Sequence, residues 1–290
     1  MPRQSQLKAF HHVALHGGFS RAADAMNLTQ PAISEQVRKL EQEHDVLLFH
    51  RHRKRVTLTP AGEKLFLLTR HYFEVAEQIR EYLSETRAAP AGTLRIIVDS
   101  AFHITDILAR FRTRFPKVRI HLSTGNSETV LAALRAYDAE IGVVGSGVPG
   151  RDMDVIDLGS SDIVAVIART SLEGQAPEAI PFRDLAHKTL VFREPGSKTR
   201  AKLEQAAEKA GIRLTPSIVA QGREAMREIV ASGAGIGFVS RAEFGNDDRL
   251  AAIPISGADL EMGESLICLK QRNDVRLIRS FLGLAAAQTT

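Results

Sequence analysis

The feature that most restricts the fold is an alternation of strand and helix patterns along residues 93–290. Runs rich in β-branched residues alternate with amphipathic patterns, as in "TLRIIVDS", "HITDILARFRTRF" and "VRIHLSTG". A second set begins at "TLVFREPG" and ends at "AGIGFVS". Repeated β–α–β order predicts parallel sheets covered by helices on both faces. We therefore predict an α/β fold with two Rossmann-like subdomains.

Two short helical patterns joined by a tight turn lie near the N-terminus. Ser20 is a candidate N-cap of "SRAADAMN", and Thr29 is a candidate N-cap of "QPAISEQVRKLEQEH". In the latter pattern Ile33, Val37 and Leu40 share one face and are predicted to be buried. The opposite face is polar and basic. This arrangement predicts a helix-turn-helix whose second helix enters the major groove of DNA.

The segment that follows predicts a basic wing. "LLFHR" and "VTLT" read as two strands, and "RKR" lies between them. Residues 1–58 hold nine Lys/Arg and five Asp/Glu, and nine minus five equals the +4 net charge of the whole chain. The concentration of positive charge at one end favours a partner that is a polyanion, although a solvated basic loop is the alternative.

Gln, Ser and Arg side chains suit contacts with base edges, and Arg and Lys suit contacts with phosphates. The candidate DNA contacts are Ser20, Arg21, Gln30, Pro31, Ser34, Glu35, Arg38, Arg51, Arg53, Lys54 and Arg55.

A long helix is predicted after the wing. Leu65, Leu68, Tyr72 and Ile79 belong to an apolar stripe with heptad spacing, which indicates a seam between two copies of the chain. A helix that packs on its own domain is the alternative. Pro90 and Gly92 then indicate a hinge.

The N-terminal sequence resembles the DNA-binding domain of LysR-type transcriptional regulators. The features "SRAA", "LTQPAIS", "LE", "LF.R" and "LT.AG" occur in the order of that family. The family commonly has Leu-Gly where this chain has His44-Asp45, so the left-handed turn usual there lacks its glycine.

The resemblance extends to the end of the chain and implies a domain order. It implies a winged helix-turn-helix at 1–59, a dimerising linker helix at 60–88, a hinge at 89–93 and an effector domain at 94–290. The effector domain would resemble a periplasmic binding protein, with the chain crossing back into its first subdomain. The implied subdomains are 94–161 with 266–290, and 162–265.

Two loops after predicted strands, "STGNSET" and "FREPGSKTR", start helices at the sheet edge where α/β proteins bind ligands. Helix N-termini with hydroxyls attract anions, although ordinary capping explains the same residues. The predicted effector contacts are Ser100, His103, Asn126, Ser127, Arg193, Ser197, Thr199, Arg223 and Glu224.

The ligand itself is suggested by a closer resemblance. "GNSETVLAAL", "REPGSKTR", "REAMREIV" and "GIGFVS" resemble a LysR-type subgroup associated with aminoethylphosphonate catabolism. We therefore expect a small anionic effector such as 2-aminoethylphosphonate, with a carboxylate or a phosphate ester as the alternative. Glu224 would then face the ammonium group of such a ligand.

Other classes of protein are less well supported by the sequence. "GAGIG" follows a helix and precedes a strand, so it predicts a helix end rather than a dinucleotide loop. His12 with His16 and His50 with His52 lack the partners of a closed metal site. The alternatives are an α/β enzyme with a helical accessory domain and a solute-binding protein. We expect no catalytic residues, no cofactor and no metal.

The expected partners follow from these predictions. They are double-stranded DNA, the small anionic effector, a second copy of the chain in a dimer or tetramer, and RNA polymerase. Neither a secretory segment nor a membrane span is recognisable in the sequence, so we expect a cytoplasmic protein. The single cysteine, Cys268, is expected to be a buried apolar residue.

Overall fold

The computed structural model describes residues 2–52, 55–83, 92–145, 150–172, 174 and 176–287. Of these, residues 51, 52, 55, 77, 78 and 80–83 are described by their backbone alone. The chain divides into two compact units, Met1–Arg87 and Ala88–Thr290. None of the helices in the described ranges combines the length and apolar character needed to cross a membrane.

The N-terminal unit holds three short helices, a two-stranded sheet and a long helix. These elements are α1 Gln4–His16, α2 Phe19–Met26, α3 Gln30–Glu43, β1 Phe49–His52, β2 Arg55–Leu58 and α4 Pro60–Leu83. The strands pair antiparallel, with Phe49 opposite Leu58 and His52 opposite Arg55. The observed order confirms the winged helix-turn-helix architecture.

The ends of α2 and α3 are set by different residues. The Thr29 hydroxyl accepts the N–H of Ala32 at 3.4 Å, so the predicted cap of α3 is confirmed. The predicted cap of α2 is wrong, because the helix begins at Phe19 with Gly18 as its N-cap. The ring of Phe19 packs edge-on against that of Phe49, with 5.8 Å between ring centroids, so a tertiary contact holds the first residue of the helix.

The turn after α3 forms without a glycine. Asp45 has φ 46°, in the left-handed region, and the N–H of Val46 donates to the Glu41 carbonyl at 3.0 Å. Aspartate tolerates this conformation better than most residues, because its short polar side chain can bond locally. The left-handed turn is therefore kept although His44-Asp45 replaces the usual pair.

The start of α4 explains the "LTPAG" motif. The Thr59 hydroxyl accepts the N–H of Gly62 at 3.0 Å and donates to the Leu47 carbonyl at 2.6 Å. Pro60 occupies the first helical position, where its missing N–H leaves no partner unsatisfied. A Cβ at Gly62 would overlap the carbonyl oxygen of Leu48. The motif therefore fixes where the long helix leaves the wing.

The second unit contains two α/β lobes. Its elements are β3 Gly92–Val98, α5 Thr105–Arg114, β4 Val118–Thr124, α6 Ser127–Arg135, β5 Ile141–Gly145, β6 Met153–Ala168, β7 Ile180–Pro181, β8 Val191–Arg193, α7 Lys198–Ala210, β9 Ile218–Ala220, α8 Arg223–Ala231, β10 Gly237–Ser240, β11 Leu250–Ile253, β12 Ile255–Ser256, β13 Glu261–Leu269 and α9 Arg276–Ala286.

A mixed sheet runs through both lobes in the order β10-β6-β13-β5-β3-β4, and β11 also pairs with β6. Strands β4, β3 and β5 are parallel, whereas β13 is antiparallel to both β5 and β6. The predicted parallel sheets therefore form only in part. The reason is that β6 and β13 are long strands that run in opposite directions through both lobes. The predicted subdomain boundaries, 161/162 and 265/266, fall inside these two strands.

Each lobe has its own apolar core. In lobe I, β3, β4 and β5 pack with α5 and α9 around Phe111 and Phe281. In lobe II, α7 packs on β8 and β10 around Phe192 and Phe238. Cys268 is fully buried on β13 within the lobe I core. A cleft lies between the two lobes.

Candidate functional site

The outer face of α3 is polar. Ile33, Val37 and Leu40 are fully buried, as predicted, while Gln30, Pro31 and Arg38 are exposed. Ser34 and Glu35 on the same face are half-buried. Ser20 and Arg21 of α2 are also exposed, and Arg21 donates to the carbonyl of Gly17 at 2.7 Å. This face presents amide, hydroxyl and guanidinium groups of the kind that read base edges and phosphates.

The Glu35 carboxylate forms ion pairs with basic side chains of α3. It accepts two bonds from the Arg38 guanidinium, at 2.8 and 2.9 Å, and lies 3.6 Å from the ammonium of Lys39. The bond from Arg38 holds the pKa of the Glu35 carboxyl below its usual value. A DNA phosphate would have to compete with this carboxylate for Arg38.

The wing is described only in part. The backbones of Arg51 and Arg55 lie on β1 and β2, but their side chains are outside the described residues. Arg53 and Lys54 lie wholly outside them. The wing contacts therefore stay predictions.

The apolar stripe of α4 is divided between two environments. Leu65 packs partly against the core of the N-terminal unit. Leu68, Tyr72 and Ile79 are 67%, 43% and 54% exposed. Exposed large apolar residues at heptad spacing are typical of a helix that pairs with another helix.

A cleft of about 940 Å³ lies between the two lobes of the second unit. It is lined on the lobe I side by residues that follow β3 and β4, and on the lobe II side by the end of β8 and the first two turns of α8. Five predicted effector contacts line it: Ser100, Asn126, Arg193, Arg223 and Glu224.

The other four predicted contacts lie outside the cleft lining. Ser127 is fully buried, and its hydroxyl has no hydrogen-bond partner among the described residues. Ser197 caps α7 by accepting the N–H of Arg200 at 3.5 Å. Thr199 is buried against the sulfur of Met262 at 3.9 Å, and His103 faces Glu243. Capping accounts for the position of Ser197, and packing accounts for that of Thr199.

Sequence reasoning missed several acidic and basic residues of the cleft. They are Asp99, Glu194, Arg227 and Glu228. Two signals were available. Asp99 and Glu194 directly adjoin predicted contacts, and Arg227 and Glu228 follow Arg223 and Glu224 by four residues, which places them on one face of a helix.

A buried ion pair joins the lobes at the cleft. Nη1 of Arg193 lies 2.7 Å from Oδ1 of Asp99, and Nη2 lies 2.8 Å from Oε1 of Glu194. Burial acts to lower the pKa of Arg193, but the Asp99 and Glu194 carboxylates outweigh it and raise that pKa. Glu194 also accepts the N–H of Gly222 at 2.8 Å. The pair therefore connects the loop after β3 in lobe I with β8 and the start of α8 in lobe II.

Arg223 extends this network beneath the cleft. Its Nη2 lies 2.8 Å from Oε2 of Glu243 and 3.7 Å from Oδ1 of Asp99. Burial acts to raise the pKa of Glu243, but His103 and Arg223 outweigh it and lower that pKa. Burial raises the pKa of Glu264 to about 8, with the Glu243 and Asp99 carboxylates adding to the effect. Arg223 acts in the opposite direction, toward a lower pKa of Glu264.

Two models of known protein families match this chain. Residues 4–63 match the family model described as "Bacterial regulatory helix-turn-helix protein, lysR family". Residues 87–290 match the model described as "LysR substrate binding domain".

Relatives and solved structures agree with these matches. A RuBisCO operon transcriptional regulator of Allochromatium vinosum is 32% identical over 81% of this chain and 78% of its own length. One of the same name from Acidithiobacillus ferrooxidans is 31% identical over 88% of this chain and 84% of its own.

Among solved structures, a full-length OxyR variant from Pseudomonas aeruginosa has a TM-score of 0.77 at 19% identity. The alignment covers 97% of this chain and 92% of that one. Full-length CbnR in complex with its target DNA has a TM-score of 0.69 at 20% identity, covering 98% and 99%. At these identities the structures show the shared fold.

The matched families and relatives are transcriptional regulators rather than enzymes. The two family models together account for the helix-turn-helix unit and the two-lobed unit that holds the cleft. The chain therefore belongs to the LysR family and is a LysR-type DNA-binding transcription regulator with a small-molecule effector domain.

Proposed function

We propose that this regulator binds an interrupted palindrome in DNA as a dimer and senses a small zwitterionic anion, such as 2-aminoethylphosphonate, in the cleft. A dimer presents two recognition helices, which suits a two-fold symmetric site. Because its partner is DNA, the proposal locates the protein in the cytoplasm. RNA polymerase is a further proposed partner.

For DNA binding, the exposed face of α3 supports the proposal. Gln30 and Ser34 would contact base edges, and Arg38 would contact a base or a phosphate. Ser20, Arg21, Pro31 and Glu35 would border this contact. Arg51, Arg53, Lys54 and Arg55 would bind phosphates or the minor groove through the wing.

A footprint on the DNA that flanks the gene tests this part. Gln30→Ala should relax the preference at particular base pairs. Arg53→Ala should weaken binding to all sequences and reduce the dependence of log affinity on log salt by about 1. Undiminished binding after Arg53, Lys54 and Arg55 are all changed to Ala would remove the wing from the interface.

For dimerisation, the exposed apolar residues of α4 support the proposal. Leu68, Tyr72 and Ile79 would be covered by the same helix of a second copy, with Leu65 at the edge of the seam. Ile79→Asp would bury a charge there, so sedimentation should show a shift of the full chain toward monomer. An unchanged dimer would assign assembly to another surface.

For the effector, the single observation that carries the proposal is the mixed charge of the cleft. Arg223 and Arg227 alternate with Glu224 and Glu228 along its α8 wall. An oxyanion suits the guanidinium groups and the N-terminal end of the helix, whereas an ammonium group suits the carboxylates. A ligand with both charges satisfies this wall better than a simple anion.

Calorimetry with 2-aminoethylphosphonate, phosphate, ethanolamine and a simple carboxylate decides between ligands. The first should bind, phosphate should bind more weakly, and Arg223→Gln should abolish both. The control is Arg213→Gln, because Arg213 is exposed and does not line the cleft. Equal heats for the carboxylate, or no heat with either phosphorus oxyanion, would refute the phosphonate assignment and leave the regulator class intact.

A further inference from the structure

Three side chains distant in sequence meet beneath the effector cleft. His103 belongs to the 3₁₀ helix Phe102–Ile104, which follows β3 in lobe I. Glu243 belongs to the 3₁₀ helix Arg241–Glu243, which follows β10 in lobe II. Glu264 lies on β13, at the register shift between Glu264 and Ser265. The three therefore come from both lobes and from a strand that runs through both.

Two of the separations between their donor atoms match those of a metal site. Nε2 of His103 lies 3.2 Å from Oε1 of Glu243 and 3.9 Å from Oε1 of Glu264. One donor atom of each residue lies within 4.8 Å of the others. Imidazole nitrogen and carboxylate oxygen bind transition ions at about 2.0–2.2 Å, so two ligands of one ion are separated by about 3–4 Å. An ion can therefore reach all three donors with small side-chain movements.

Glu264 supplies a second, independent indication of a ligand. Its side chain is 3% exposed, and Oε2 has no hydrogen-bond partner among the described residues. Arg193 pairs with Asp99, and Arg223 pairs with Glu243, so both arginines are engaged by other carboxylates. A polar atom without a partner in a buried side chain is unfavourable, and a bound cation would give Oε2 of Glu264 a partner.

We propose that His103, Glu243 and Glu264 form a binding site for a divalent transition ion such as Zn²⁺ or Mn²⁺. One imidazole, two carboxylates and no thiolate make a donor set that suits these ions. Arg223 opposes a cation, but it contacts Oε2 of Glu243, whereas His103 faces Oε1. Three protein ligands leave coordination positions for water, as in open zinc sites.

The site would couple metal binding to the arrangement of the lobes. His103 and Glu243 lie on opposite sides of the junction, and Glu264 lies on the strand between them. An ion held by all three favours the lobe arrangement in which the donors converge, because it binds other arrangements less tightly. The inference does not depend on which effector occupies the cleft.

The test is calorimetric titration of the full chain with Zn²⁺ after treatment with a chelator. Glu264→Gln and His103→Ala are the test variants, and Glu264→Gln keeps the size of the side chain. Glu261→Gln is the matched control, since Glu261 is an exposed residue of the same strand, and His121→Ala is a matched exposed histidine on β4. Thermal unfolding and circular dichroism confirm that each variant folds.

Each test variant should lose one equivalent of zinc or bind it at least about 10-fold more weakly. Removal of a residue that only hydrogen-bonds to a metal ligand already lowers metal affinity by about that factor. The controls should bind as the parent does. Co²⁺ should give a visible absorption band in the parent that is absent from Glu264→Gln. Equal stoichiometry and affinity in all four variants, or no zinc binding by the parent, would overturn the proposal. Because zinc could also bind His12 and His16, only an equivalent that is lost or weakened in both test variants, and in neither control, supports the proposal.

Discussion

The ion pair between Asp99 and Arg193 should be a principal tie between the lobes. The Asp99 and Arg193 side chains are only 3% and 5% exposed, and their charged atoms lie 2.7 Å apart. Arg193→Met removes the charge and keeps most of the length of the side chain. It leaves the Asp99 carboxylate buried, with Nη2 of Arg223 at 3.7 Å. Removal of one partner from a buried pair costs about 3–5 kcal/mol.

Asp99→Asn should cost less than Arg193→Met. The asparagine oxygen can still accept from Arg193, and Arg193 keeps Glu194 at 2.8 Å. The loss of one charge-assisted bond costs about 1.5–3 kcal/mol. The double variant lacks both charges, so neither one is left buried without its partner. Its loss of unfolding free energy should therefore be smaller than the sum of the two single losses by at least about 1.5 kcal/mol.

Thermal unfolding of the full chain measures this cycle. For a unit of this size about 1 kcal/mol corresponds to about 2–4 °C, so Arg193→Met should lower the transition of the effector unit by about 10 °C. The control is Arg213→Gln, which removes an exposed arginine of the same unit. Single effects that add within about 0.5 kcal/mol would show that the two charges are not coupled, and the reasoning would fail.

Three further predictions concern the N-terminal unit. Gly62→Ala should destabilise it by about 2–3 kcal/mol, measured by chemical unfolding, because the new Cβ would overlap the Leu48 carbonyl. Glu35→Gln should tighten DNA binding in mobility-shift assays, because it releases Arg38; weaker binding would mean that Glu35 itself accepts from a base. His11 packs against Phe66 and Phe73. Burial, with nearby positive charge, lowers its pKa from 6.5 to about 4, so the unfolded state binds more protons between those values. Stability should therefore fall as the pH drops from 6.5 to 4, by about 1–2 kcal/mol after allowance for the partial exposure of the ring, and His11→Phe should flatten this dependence.

The sequence predicts the N-terminal unit well because local patterns decide its elements. The apolar face of α3 and its Thr29 cap both follow from spacing and residue type within one helix. The start of α2 could not be read in this way. Its first residue, Phe19, contacts Phe49, which is thirty residues away, and the pattern around Ser20 contains no sign of that contact.

The effector unit shows a different limit. Its strand-helix alternation predicts the α/β fold, but alternation does not reveal that β13 runs antiparallel between β5 and β6. The sequence predicts that hydroxyl residues at helix starts bind a ligand, and the structure places Ser127, Ser197 and Thr199 in buried positions outside the cleft lining. Helix capping and ligand binding use the same residue types, so only the fold separates them.

Arg223 connects the features that the structure places around the cleft. Its guanidinium lines the cleft, pairs with Glu243 at 2.8 Å and lies 3.7 Å from Asp99. An anionic group in the cleft would compete with these two carboxylates for the same cation. The carboxylates would then need another partner, and Nε2 of the His103 imidazole already lies 3.2 Å from Oε1 of Glu243. Because Asp99 and His103 belong to lobe I and Glu243 to lobe II, a change in this pairing alters the free energy of the contact between the lobes. A ligand that reorders these pairs therefore has different affinities for different lobe arrangements, which is the condition for it to shift their populations.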